Sequence, residues 1–223
     1  MSTHHEGFES RDEITVDIGP KSLERRGLAS SKKEAEEVNW RTGGDGWRAT
    51  GSYSSINEKD KYSEGYEICI GVALVGRKKG SGEPISLLTH FTPNGLIDAE
   101  GTMFRGLAKA IDEFAAAVEQ GTADVVIFGG GAYTHGADTW NVFYKDTYLR
   151  AVTNIIQHIE KSLGVTEPRI AALPVKNAEK NKVHVLLDTK KRKLYLVRPK
   201  QKDEKPEDLL FPVSELEDRM ENW

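Results

Sequence analysis

The stretch "YEICIGVALVG" (66–76) constrains this chain more than any other. It is a short, nearly continuous apolar run rich in Ile and Val, the pattern of a β-strand buried on both faces. "RKKGSGEP" follows, with two glycines, a proline and charges, and reads as a turn. "ISLLTHF" (85–91) is a second strand. "PNG" at 93–95 then stops the sheet, because proline cannot donate to the ladder and glycine favours turns.

The next element is helical. Met103, Phe104, Leu107, Ile111, Phe114 and Val118 recur at spacings of three and four, one apolar stripe that ends at Gly121. "ADVVIFGGG" (123–131) is a buried strand running into three glycines. A second amphipathic helix carries Tyr148, Leu149, Val152, Ile155, Ile156, Ile159 and Leu163 and stops at Gly164. "RIAALPV" (169–175) is a strand, and "KVHVLLDTKKRKLYLVRP" (182–199) is a hairpin about the basic turn "TKKRK". "PEDLLFPVSELEDRMENW" ends in a short helix. The order β-β-α-β-α-β-β-β predicts a layered α/β or α+β domain.

Residues 1–55 have a different texture. "SLERRGLASSKKEAEEVNWRTGGDGWRATGSYSS" is charged, Gly/Ser-rich and short of aliphatic residues, so it buries little apolar surface to offset its ordering entropy. The division expected is a polar, flexible extension over 1–55 and one α/β domain over 56–223. Trp40 and Trp47 stand out in the extension as side chains able to dock on the domain or on a regulatory partner.

Composition excludes several functions. A net charge of -4 leaves no basic footprint, so nucleic acid is not an expected partner. No run of 18 apolar residues exists, so membrane insertion is not expected, and "MSTHHEGFESRDE" has no hydrophobic core of a signal peptide. One cysteine, Cys69, allows no internal disulfide and suits a reducing compartment. A soluble, cytoplasmic protein is the expectation.

Cys69 carries the chemical question. If 66–76 and 85–91 form an antiparallel hairpin centred between Lys79 and Gly80, opposed residue numbers sum to 159 and Cys69 faces His90. Directly opposed Cβ atoms lie roughly 4.5–5.5 Å apart. A shift of two keeps the pair as diagonal neighbours, whereas a shift of one puts them on opposite faces. A thiol beside an imidazole has its pKa lowered and becomes a nucleophile near neutrality. Against this stands the ordinary role of a lone cysteine in an apolar strand, an inert packed residue.

The succession "CIGVALVG", "LTHFTP", helix, "VVIFGGGAY" and then Asn141 resembles the chemoreceptor glutamine deamidase (CheD) family. That family has a cysteine in a "SCVGV"-like strand, a histidine at an "HFMLP"-like strand end, an "FGG" strand terminus and an asparagine before the next helix. The resemblance covers residues 63–197, about 60% of the chain. It implies an α+β layered sandwich of mostly antiparallel sheet with two amphipathic helices, a fold shared with cytotoxic-necrotizing-factor deamidase toxins. It also implies a cysteine-dependent protein-glutamine deamidase, without cofactor, acting on a protein substrate that presents a glutamine. Cys69 takes the nucleophile position and His90 the general base. Ser63 stands where the family has threonine, six residues before the cysteine. The chain departs from the family at Glu67 and Ile68, which replace Gly-Ser, and at "VKNAEKNKV". The alternatives are a non-catalytic binding or scaffold relative with Cys69 merely packed, and a small-molecule amidase.

"FGGGAY" (128–133) lacks the Lys and Ser/Thr of a P-loop, so a tight turn in the wall of the site is expected there, formed by Gly129, Gly130, Gly131 and Tyr133. Asn141 joins them in the expected substrate cleft. His135 and Asp138 with His90 show no ligand spacing such as HxxxH, so no metal is expected. His184 alternates with valines and is expected to point to solvent. "TKKRK" reads as a solvated turn.

Overall fold

The structure, a computed structural model, describes residues 13–18, 35–38, 52–66, 69–129, 138–171, 184–197 and 210–221. Among the described residues eleven strands run β1 (Thr15–Ile18), β2 (Glu36–Glu37), β3 (Ser52–Tyr53), β4 (Lys61–Glu64), β5 (Ile70–Arg77), β6 (Pro84–His90), β7 (Asp124–Gly129), β8 (Arg169–Ala171), β9 (His184–Asp188), β10 (Lys193–Val197) and β11 (Phe211–Pro212). The helices among the described residues are α1 (Thr102–Ala117), α2 (Asp138–Leu163) and α3 (Leu216–Glu221). The six-stranded sheet has the order β11-β8-β7-β5-β6-β3, and the five-stranded sheet β1-β10-β9-β4-β2. Most pairings are antiparallel; β1 with β10, β2 with β4, and β7 with β8 are parallel. This is the α+β class expected, a layered and mostly antiparallel arrangement with two long amphipathic helices.

β5 shows why the apolar run is so continuous. Its side chains alternate between two cores, as the period-2 geometry of a strand requires. Ile70, Val72 and Leu74 pack with Leu107, Ile111, Phe114, Val152 and Ile155 of the helices. Ala73 and Val75, with Cys69 just ahead of the strand, face the other way, against Val185, Leu187, Leu194 and Leu196 of the second sheet. The molecule is therefore three layers deep at this point, and a fully buried Leu or Ile there contributes about 2 kcal/mol. α2 ends as its sequence predicts: Gly164 takes φ +68° and its N–H closes on the Glu160 carbonyl at 2.9 Å. α1 stops earlier, at Ala117, and Gly121 (φ +78°) forms the turn into β7.

One expectation is corrected. The hairpin is offset by two residues: Ala73 pairs with Leu88 and Leu74 with Leu87, a sum of 161, because the turn centres nearer Gly80–Ser81. Where it is described, the stretch 1–55 supplies three edge strands. β1 lies beside β10, β2 beside β4, and β3 beside β6, with Ile14 and Val38 buried as anchors. An edge strand is held by main-chain hydrogen bonds and needs little apolar sequence, which is why composition concealed it. Trp40 and Trp47 lie outside the described residues.

A polar cluster fastens β2 to the domain. The side chain of Lys61 is fully buried and donates to Glu36 Oε2 at 3.1 Å and to Asn57, while Ser55 N–H and Asn57 Nδ2 also donate to Glu36. Burial pushes the Glu36 carboxyl up, but those hydrogen bonds outweigh it and hold its pKa at about 2. No helix among the described residues is long and apolar enough to cross a membrane.

Candidate active site

Four strand ends meet at the edge of the layers away from the β5–β6 turn. β4 brings Ser63, the approach to β5 brings Cys69, β6 ends at His90, and β7 ends at Gly129. The strand periods decide which side chains meet. Tyr62 and Glu64 lie on the outer face of the second sheet, and Tyr62 packs there with Leu186 and Tyr195, so Ser63 points inward. Leu88 lies in the core between the sheets, so His90, two residues on, does too. Cys69 belongs to that same core. The observed offset makes Cys69 and His90 diagonal neighbours on one face, the separation of which is about 7–8 Å between Cα atoms.

Ser63 and His90 are in contact. Ser63 Oγ lies 3.0 Å from His90 Nδ1, joining residues 27 apart in sequence and on different sheets. The Ser63 hydroxyl donates its one hydrogen to the Val38 carbonyl, also at 3.0 Å. It must then accept from the imidazole, so Nδ1 carries the proton and Nε2 carries the ring's lone pair. Burial holds the pKa of His90 down at about 4, a pull only partly offset by a hydrogen bond with the Gly65 carbonyl. The ring is thus neutral at pH 7, with its basic nitrogen defined by the Ser63 relay.

Packing immobilises the imidazole. Tyr66 stacks on it with ring centroids 4.0 Å apart and an 18° interplanar angle, and the Tyr66 hydroxyl donates to the Thr89 carbonyl at 2.8 Å. Phe128 meets Tyr66 edge-on at 4.9 Å. Gly71 makes room for both rings: a Cβ there would sit 2.2 Å from Phe128 and 2.8 Å from Tyr66. Gly129 takes φ +87° and lies against the Cys69 backbone, where a Cβ would come within 2.2 Å of the Cys69 carbonyl oxygen.

Ser63, Cys69, His90 and Gly129 are therefore brought together. Gly130, Gly131, Tyr133, Glu67 and Ile68 lie outside the described residues, as does the side chain of Asn141 in the first turn of α2. His135 lies outside them too. His184 is only partly exposed, with Nδ1 4.0 Å from Glu64. Among the described residues no group of three or more His, Cys, Asp and Glu is placed to hold a metal.

The reading of the sequence missed Tyr66 and Ser52. Tyr66 opens the apolar run and passed as an ordinary strand residue. Ser52 pairs directly with His90 across β3–β6, is buried, and its hydroxyl has no hydrogen-bond partner among the described residues. It sits in a Gly/Ser-rich stretch that carries no signal of its own.

Cys69 is 5% exposed, and Ser63 and His90 are fully buried. Two clefts among the described residues lie away from this site: one of about 990 Å³ between the α1–β7 and α2–β8 turns, and one of about 310 Å³ between the β5–β6 and β9–β10 turns. No protein-family model matches the chain, and no curated protein matches it.

Proposed function

We propose that the chain is a cysteine-dependent amidohydrolase that converts a protein glutamine side chain to glutamate, with Cys69 as nucleophile and His90 as general base. The observation that carries this reading is the buried Ser63–His90 hydrogen bond on the same inter-sheet face as the lone cysteine. Ser63 and His90, two of the residues that the CheD resemblance singles out, are in contact, and Cys69, the third, lies in the same inter-sheet core. In the proposed reaction His90 Nε2 takes the thiol proton as sulfur bonds to the carboxamide carbon. The tetrahedral intermediate expels ammonia with that proton returned by the imidazolium, and water then cleaves the thioester to carboxylate and free thiol. Ser63 and Tyr66 act as positioning residues, one holding the tautomer and the other the ring plane.

A second reading is favoured by the burial of Cys69: a binding or scaffold relative in which the thiol is packed and inert. The two separate on thiol reactivity. Under the first, iodoacetamide alkylates Cys69 at pH 7 faster than it does free cysteine, and both His90→Gln and Ser63→Ala slow the reaction. The conditions that alkylate Cys69 fastest then guide incubation with candidate proteins, read as a +1 Da shift on glutamine. Slow alkylation, equal in all three folded proteins, rejects the first reading.

A further inference from the structure

β2 is two residues long and stands last in the five-stranded sheet, yet the residue that follows it completes the His90 relay. Glu36 pairs with Lys61 and Glu37 with Tyr62, in parallel. The Glu36 and Val38 N–H groups donate to the Asp60 and Tyr62 carbonyls at 2.8 and 2.7 Å. One rung further on, the Val38 carbonyl takes the hydrogen of Ser63 Oγ. Main-chain bonds along one side of so short a strand are a weak hold, because strand ends of this kind open at little cost.

A side-chain clasp supplies the rest, on the rung beside the relay. Lys61 and Ser63 are two residues apart in β4 and so lie on the same face of it, both fully buried. Lys61 Nζ donates to Glu36 Oε2 at 3.1 Å and to Asn57 Oδ1. Asn57 Nδ2 reaches the same Glu36 oxygen at 3.1 Å, and Ser55 N–H donates to Oε1 at 2.6 Å. A buried ion pair fastens two elements no better than apolar side chains of the same volume do. What it adds here is direction, since three donors fix the Glu36 carboxylate and with it the strand that carries Val38.

The consequence for the site follows from the single hydrogen of the Ser63 hydroxyl. With Val38 in place, Ser63 gives that hydrogen to the carbonyl and accepts from Nδ1–H, which leaves the lone pair on Nε2. With β2 lifted, the hydroxyl is released to donate to Nδ1, and the ring proton moves to Nε2. We propose that Lys61 and Glu36 are positioning residues for His90: their ion pair holds the Val38 carbonyl against Ser63 and so keeps the imidazole in the tautomer with a basic Nε2. This deepens the amidohydrolase reading and rests on it for its catalytic meaning. It also makes residues 36–38 of the polar N-terminal stretch part of the site.

The test reads the tautomer and the thiol separately in the full chain, by imidazole ¹⁵N spectra of His90 at pH 7 and by alkylation of Cys69 with iodoacetamide. Glu36→Gln and Lys61→Met are each expected to shift the tautomer ratio about fivefold toward Nε2–H, the worth of one net hydrogen bond. Alkylation slows in proportion to the Nδ1–H population lost. Asn57→Ala takes one hydrogen bond from each partner but keeps the ion pair, and shifts the ratio the same way by less; it decides the matter should the other two variants not fold. Ile159→Ala, which destabilises the helix-side core without touching β2, moves neither readout. The Gly65 carbonyl also bonds to the ring, so an unchanged tautomer in the folded clasp variants assigns the ring's orientation to Gly65 and overturns the proposal. An equal shift in Ile159→Ala overturns it too, as an effect of lost stability alone. A shifted tautomer with a wild-type Cys69 that is inert and indifferent to His90→Gln bears out the clasp and rejects the amidohydrolase reading. A reactive, His90-dependent Cys69 with an unmoved tautomer does the reverse.

Discussion

Lowering the pH from 7.5 to 5 tests whether His90 is held neutral in the core. Its pKa is about 4 in the folded chain against about 6.5 for an ordinary histidine. The unfolded chain takes up the proton as pH falls below 6.5, while the native state resists it until near pH 4. The native state therefore binds fewer protons in this window, and stability falls as pH falls. At pH 5 the difference amounts to about 2 kcal/mol, and at pH 4 to about 3 kcal/mol. Glu36 loses its contribution only between pH 4.5 and 2, and the burial-raised Asp60 acts in the opposite direction. The assay is urea unfolding followed by tryptophan fluorescence at pH 7.5, 6.5, 5.5 and 5, on the wild type and on His90→Gln. The glutamine keeps a side-chain partner for Ser63 but has no proton to titrate. The pH slope of the wild type is expected to exceed that of the variant by about 2 kcal/mol over the range. Parallel slopes would refute the buried, neutral imidazole and with it the assignment of Nε2 as the basic nitrogen.

Ser63→Ala removes both hydrogen bonds of the relay, leaving His90 Nδ1–H and the Val38 carbonyl to find other partners, and is expected to cost about 2–3 kcal/mol in urea unfolding. Imidazole ¹⁵N shifts of the wild type should report a protonated Nδ1, and a protonated Nε2 would contradict the relay. Gly129→Ala combines a positive φ with a Cβ clash on the Cys69 backbone, so a loss of about 2–4 kcal/mol and a shifted backbone at Cys69 are expected; a neutral substitution would show that β7 does not press on Cys69. Glu36→Gln is expected to lose about 3 kcal/mol at pH 7, because it leaves the buried Lys61 facing a neutral amide. The wild type should lose this same increment as pH falls from 4.5 to 2, and the variant should not; equal acid profiles would show that the Glu36 carboxylate carries no such stabilisation.

Much of the site was readable in the order of residues, and its decisive contact was not. The CheD resemblance singled out Cys69, His90 and Ser63, and the parity of the hairpin placed the first two on one face once the turn was located. The centre of the turn was off by a single residue, which moved the register sum from 159 to 161 and made opposed partners diagonal ones. Parity survived because the slip was even. Ser63 carried no such argument from its surroundings, since a serine in a polar approach to a strand has no local signature of a histidine partner 27 residues away. Ser52 and Tyr66 were invisible for the same reason: a side chain is recognised as part of a site by what it faces, and strand pairing decides that.

The amino-acid order by itself determined the local elements. Spacings of three and four produced α1 and α2, the Ile/Val-rich runs produced β5 and β7, and the glycine after α2 ended it, because these depend on contacts and dihedral preferences within a few residues. Only the tertiary structure decided that polar pieces of residues 1–55 close sheet edges, that two basic turns share one cleft, and that a serine of one sheet fixes the tautomer of a histidine on the other. Those outcomes rest on backbone hydrogen bonds open to almost any side chain and on the stacking of separate layers, neither of which leaves a period in the sequence.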